Sequence, residues 1–292
     1  MLTEISPELS QKLLAAVEKM PAFPKSVQRI LELTRSTNCD PRELVSVIEK
    51  DPVMTVKILR ILNSAYYSFP KQITSVNQSV VYLGHNTIKN MALSFAAVGV
   101  LPSRNEAEFD IQHYLMHTLT TASLARMLCQ KYANDGTDPA DCYIAGLLHD
   151  FGKVVFAQYL PTEFKAALEL AKQEHIPLNV AEQRIFGIDH TLAGAMLAER
   201  WQFPKALTDT IRVHHSCADD ASMLQCSLFV ANQISKQLEM GDAGNPVVEK
   251  LPVGAIKRFG GDLEHIIASL GDLSKITDEA VIFAQASTAE DA

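Results

Sequence analysis

Aspartate followed directly by proline occurs at Asp40-Pro41 and again at Asp51-Pro52, and each pair opens an apolar run with helical spacing. An acid at the N-cap accepts a free backbone N–H, and proline costs nothing at the first helical position, where the N–H has no intrahelical partner. Glu43 then stands in the first turn ahead of Leu44, Val45, Val47 and Ile48. The second pair leads into Val56, Ile58, Leu59, Ile61 and Leu62. Asn179 with Glu182 repeats the start signal, and Gly84 and Gly187 sit where helix C-terminal glycines commonly sit. No segment alternates with a period of two, which a half-buried strand requires. The pattern predicts an all-α fold of short helices joined by tight turns. With 292 residues, 47% of them hydrophobic, the chain has enough apolar surface for a large core.

Several function classes are excluded at this level. The N-terminus, with Glu4 and Glu8 and no basic start or apolar core, does not read as a secretory signal. The longest apolar stretch, near 91–101, is too short to cross a bilayer and contains Ser94 and Gly99. A soluble, cytoplasmic protein with no membrane partner is expected. The cysteines at 39, 129, 142, 217 and 226 show no CxxC spacing; an odd count of this kind predicts reduced thiols and no cysteine-based zinc site. Net charge is −8. Residues 1–100 carry 11 Lys+Arg against 8 Asp+Glu and the remainder 15 against 26, so there is no broad basic surface and no nucleic-acid partner is expected.

Histidine divides the chain. Residues 1–104, read as an N-terminal helical subdomain, contain only His85, whereas 105–240 hold seven of the nine histidines. The glycine-rich text after Met240 reads as a linker, so 241–292 is expected to be a linker with a short helical tail. In the middle region His113 and His117 lie four apart on a helix expected over about 110–132. His149 and Asp150 end the apolar helix of "AGLLHDFGKVVF", with Lys153 one turn on. His190 follows Asp189 at a helix start, and His214-His215 close the helix that begins after Pro204. Separate helices can thus point ligands into one cavity. Imidazole nitrogen and carboxylate oxygen suit Fe, Mn, Zn or Ni better than Ca or Mg. An acid shared between such ions would explain Asp150 in apolar text, because burying an unpaired charge is very costly. The competing reading is a set of unrelated core histidines. Trp201 is expected to pack against helices, Tyr66-Tyr67 and Phe69 to form a packed loop, and His175 and His265 to lie outside any site.

His117-Thr-Leu and Gly146-Leu-Leu-His149-Asp150-Phe-Gly-Lys153 resemble the HD superfamily of metal-dependent phosphohydrolases. Ile48-Glu-Lys-Asp51-Pro52, Leu62-Asn63-Ser64-Ala65, Val80-Val81-Tyr82-Leu83-Gly84 and Gly187-Ile-Asp189-His190 narrow the likeness to the HDOD, or HD-related output, domain of bacterial signalling proteins. That resemblance implies an HD-like helical bundle behind an N-terminal helical subdomain. Against the related HD-GYP branch, His117, His149, Asp150, His190, His214 and His215 match the ligand positions, Asp150 as the bridging carboxylate. Lys153 matches a lysine that contacts phosphate. Asn232 falls where a closing aspartate is expected, and His113 where some members supply a glutamate; both are weaker ligand candidates. The GYP text is absent.

The resemblance implies one or two divalent ions and leaves two readings. One is a non-catalytic regulatory domain that engages a signalling protein partner. The other is a metal-dependent phosphodiesterase or phosphatase acting on a nucleotide or cyclic dinucleotide, with Asp150 and Lys153 in catalytic roles. Asn232 separates them, since an amide oxygen brings no negative charge and cannot serve as a base.

Overall fold

The computed structural model describes residues 7–35, 40–64, 66–102, 105–245 and 247–288; Glu4, Cys39, Ala65 and Pro246 lie outside them. Every regular element among the described residues is helical. In chain order these are α1 (Pro7–Lys19), α2 (Lys25–Arg35), α3 (Pro41–Glu49), α4 (Pro52–Leu62), α5 (Val76–Leu83), α6 (His85–Val98), α7 (Ile111–Tyr132), α8 (Pro139–Leu148) and α9 (Phe151–Tyr159). There follow α10 (Pro161–Glu174), α11 (Leu178–Phe186), α12 (His190–Arg200), α13 (Lys205–Arg212), α14 (Met223–Gln237), α15 (Val253–Phe259), α16 (Leu263–Leu270) and α17 (Ser274–Thr288). None of these is long and apolar enough to cross a membrane.

Two compact units form: residues 22–100 with 277–292, and residues 1–21 with 101–276. These bounds differ from the sequence divisions at 104 and 240. Helix α1 groups with the histidine-bearing helices because its C-terminal carbonyls are used there. Arg200 donates to Val17 O and Met20 O at 3.1 and 2.6 Å, and the Trp201 indole donates to Pro21 O at 3.0 Å.

In the first unit the capping signals operate as chemistry requires. Asp40 accepts from Arg42 N, Asp51 accepts from Met54 N, and Gly84 turns the chain between α5 and α6 at φ +79°. Helix α6 lies against α2, α3, α4 and α5. Tyr67 stacks on Phe69, whose ring meets Tyr82.

The second unit positions the histidines. Helix α7 packs between α8 and α14, and α9 packs on α12, which in turn contacts α13. Val154, Val155 and Phe156 on α9 are fully buried, which contributes roughly 1.5–3 kcal/mol each. Helices α9 and α12 approach so closely that only glycine fits at 152, where a Cβ would lie 1.9 Å from the His190 carbonyl oxygen. This is the physical reason for the glycine in "HDFGK".

Two sequence expectations need correction here. Asn179 does not cap α11: Pro177 precedes that helix without a side-chain cap, and Glu182 faces inward with no exposed surface. Residues 241–245 are not a free linker but a strap laid on α7. Ala243 is buried, Asp242 N donates to His113 O at 3.1 Å, and Gly241 (φ +83°) sits where a Cβ would come within 2.3 Å of His117 N.

Candidate metal centre

Six side chains converge from five helices of the second unit. His117 comes from the second turn of α7, and His149 caps the C-terminus of α8. Asp150 occupies the N-cap of α9, His190 opens α12, and His214 and His215 follow α13. An aspartate at an N-cap normally spends its carboxylate on the first-turn N–H groups, as Asp189 does by accepting from Thr191 N. Asp150 makes no such bond. Its carboxylate turns instead into the histidines, which is why an acid persists in apolar text.

The two oxygens of Asp150 face different histidines. Oδ1 lies 3.2 Å from His190 Nε2 and 3.4 Å from His214 Nε2. Oδ2 lies 3.2 Å from His149 Nε2 and 3.8 Å from His117 Nε2. His215 Nε2 stands 2.9 Å from His190 Nε2. Two ligand groups result, His190 with His214 and His215, and His117 with His149 and Asp150, each with its donor atoms within 4.8 Å of one another.

Hydrogen bonds on the far side of each ring decide which nitrogen faces the centre. His149 Nδ1 donates to Gly146 O and His214 Nδ1 to Ile211 O, both at 2.8 Å. His190 Nδ1 donates to Glu182 Oε2 at 2.6 Å, and His117 Nδ1 is paired at 3.2 Å with Ser235 Oγ, whose hydroxyl has the Met240 carbonyl as its own acceptor. With each Nδ1 engaged on its outer side, Nε2 of every ring is the atom that faces the centre, and those of His117, His149 and His214 present lone pairs inward. This outer bonding is how ligating histidines are held in one tautomer and orientation. His117 Nε2, His149 Nε2, His214 Nε2 and Asp150 Oδ1 are buried without a hydrogen-bond partner. Inward lone pairs left unpartnered in a dry pocket are costly unless a cation satisfies them. The donor set therefore fits a divalent transition ion.

Electrostatics divide the cluster. Burial, the largest influence, holds His117 and His215 well below the usual imidazole range and His214 at about 4. Burial also pulls on His190, but the Glu182 charge outweighs it and lifts the ring to about 9. Burial alone would raise Asp150; His149 and Lys153 offset it and hold the carboxyl well below the usual range. Ligation needs neutral imidazole, so an ion entering beside His190 displaces a proton. Glu182→Gln is expected to weaken ion binding about 10–100-fold while the helices stay folded, checked by ion titration and circular dichroism.

The remaining predicted residues fall elsewhere. Lys153 is buried, donating to Asp150 Oδ2 at 2.6 Å and to Ala243 O at 3.0 Å, so it is turned onto the acid and the strap. His113 stands apart from both ligand groups: it is 65% exposed and its Nδ1 is held at 2.7 Å by Asp110, the N-cap of α7. Asn232 on α14 is buried with Oδ1 unpartnered. His175 and His265 are exposed, and Trp201 packs on Phe151.

Sequence reasoning missed Glu182, Ser235 and the Ala243 carbonyl. Only Glu182 left a trace, since it lies on the same helical stripe as the buried Leu178, Ala181 and Phe186. Beside the centre is a cavity of about 370 Å³, lined by His113, His117, Lys236, Asp242, Ala243 and Asn245 among others.

A family model described as the HDOD domain matches residues 20–217. The chain belongs to the HDOD family. This HDOD chain is 26% identical over 255 residues to an uncharacterized protein of Treponema pallidum (strain Nichols), covering 86% of this chain and 48% of that protein. It thus spans about half the length of that relative. An HDOD domain protein of unknown function from Geobacter sulfurreducens shares the fold at TM-score 0.76 and 24% identity, over 96% of this chain and 97% of that one. A Marinobacter aquaeolei VT8 protein provisionally assigned to signal transduction aligns at TM-score 0.79 and 23% identity, over 96% and 66%. A Shewanella amazonensis SB2B protein with a provisional phosphohydrolase name aligns at 0.71 and 22%, over 95% and 98%. At these identities the HDOD likeness is one of fold, and the chemistry rests on the side chains.

Proposed function

We propose that this chain is a regulatory HDOD module of a bacterial, cytoplasmic signalling system. Its His/Asp pocket would hold a divalent ion for structure or ligand sensing, while its helical surface engages a signalling protein partner. The observation that carries this reading is the state of the acidic groups that hydrolysis would need. Asn232 stands where the resemblance places a closing aspartate, and its amide adds neither charge nor base. Asp150 is already paired with the buried Lys153 ammonium. In hydrolytic centres a bound ion lowers the pKa of its water toward neutrality and polarises phosphate oxygens. Here Asp150 and the histidines of the two groups would hold the ion, Glu182 would orient His190, and Lys153 faces the acid in place of an incoming phosphate.

The second reading, a phosphodiesterase or phosphatase for a nucleotide or cyclic dinucleotide, is favoured by the two ligand groups arranged about one carboxylate and by the adjoining cavity. The purified chain, loaded with Mn(II) or Fe(II), is expected to release no product from cyclic dinucleotides or a generic phosphodiester above the rate of the ion alone. Turnover that Asp150→Ala abolishes would establish the hydrolase in its place.

A further inference from the structure

We infer that the pocket takes one ion rather than two, and that the Lys153 ammonium stands in for the second. This rests on the metal-holding pocket of the proposed function and concerns how many ions it accepts. The two halves of the cluster differ in one respect. Around Asp150 Oδ1 the contacts are imidazole nitrogens able to ligate an ion, His190 Nε2 at 3.2 Å and His214 Nε2 at 3.4 Å, with His215 Nε2 2.9 Å from His190. Around Oδ2, beside His117 and His149, the position facing the acid is already taken by a cation, with Lys153 Nζ at 2.6 Å.

Lys153 is fixed there by more than its charge. It lies one helical turn from Asp150 on α9, so its stem runs along the buried face of that helix. The Ala243 carbonyl accepts a second hydrogen bond from Nζ at 3.0 Å, and the strap that carries this carbonyl is itself seated on α7 through Asp242 N and His113 O. With 1% of its surface exposed, the residue has no open route by which to swing its head group into water. An ion in the His117/His149 half would have to share Oδ2 with this ammonium at contact distance.

Charge balance gives the same answer. The carboxylates within 4 Å of the ligand histidines are Asp150, Glu182 and Glu249, and the charge of Glu249 is offset by Lys236 at 3.7 Å, which leaves Asp150 and Glu182 to balance the ions. Two divalent ions together with Lys153 would set five positive charges beside two negative ones in a buried space, whereas a single ion leaves a small excess that other nearby groups can temper. A neutral Asn232 does nothing to relieve the larger imbalance.

Elemental analysis decides the matter. The full chain is saturated with Mn(II) or Zn(II), freed of excess ion by gel filtration and assayed for bound ion per chain. The expected result is one ion for the wild type, none for His214→Ala and two for Lys153→Met. Electron paramagnetic resonance of the Mn(II) form should show an isolated ion in the wild type and an exchange-coupled pair in Lys153→Met. Two ions in the wild type would overturn the inference and leave the metal pocket standing. One ion in both wild type and a folded Lys153→Met would remove the lysine from its assigned role. No ion in the wild type would defeat the metal pocket itself. Should Lys153→Met fail to fold, the wild-type stoichiometry and resonance spectrum still decide between one ion and two.

Discussion

Asp150→Ala is expected to lower the stability of the chelator-treated protein by about 3–5 kcal/mol, the range found when one partner of a buried ion pair is removed. The change leaves Lys153 buried, with only the Ala243 carbonyl to receive its ammonium. At the size of this protein the melting temperature should fall on the order of 10 °C. Ion uptake should vanish as well, because Asp150 belongs to one ligand group and its Oδ1 lies 3.2 Å from His190 of the other. The double replacement Asp150→Ala with Lys153→Met should recover much of the lost stability, since it removes both charges together. Thermal unfolding of the three proteins measures this coupling. A single-replacement cost under about 1 kcal/mol would show that the pair behaves as an exposed one.

Gly152→Ala is expected to be the second severe change, although it adds one methyl group. The new Cβ would meet the His190 carbonyl oxygen at 1.9 Å, its carbon at 2.7 Å and Gly194 N at 2.8 Å, and all three are backbone atoms. No side chain can rotate away, so α9 and α12 must part. Overpacking of this kind costs on the order of 3 kcal/mol. Asp150 and His190 stand on opposite sides of that contact, so ion affinity should fall along with the melting temperature. Gly99→Ala provides the control. Gly99 has a negative φ, and the nearest contact to an added Cβ is 3.3 Å from Phe95 O. Unfolding and ion titration should show little change for Gly99→Ala and a large one for Gly152→Ala.

The reach of the sequence reading follows from which interactions are local. Asp40, Asp51, Asp110 and Asp189 cap helices through N–H groups two or three residues away, so their roles are visible in short windows of text. Asn179 and Glu182 carry the same local signal and break it. Pro177 takes the helix start, and Glu182 gains more by bonding the His190 backbone and ring eight residues on than by capping α11. His113 and His117 illustrate a second limit. Spacing of four puts both near one helix face, yet Asp110 at the helix terminus holds His113 in solvent while Ser235, over a hundred residues away, holds His117 inward.

Taken alone, the sequence determined the helical class and the starts of α3, α4, α7, α12 and α13, and the HD likeness marked six residues as candidate ligands, because capping, periodicity and motif spacing are properties of neighbours along the chain. Tertiary structure decided the rest. It set which nitrogen of each imidazole faces the centre, turned Asp150 away from its own helix, placed Glu182 behind His190, and laid the 241–245 strap so that its carbonyl holds Lys153. These are contacts between residues far apart in sequence, fixed by the need to satisfy buried polar atoms once the helices pack.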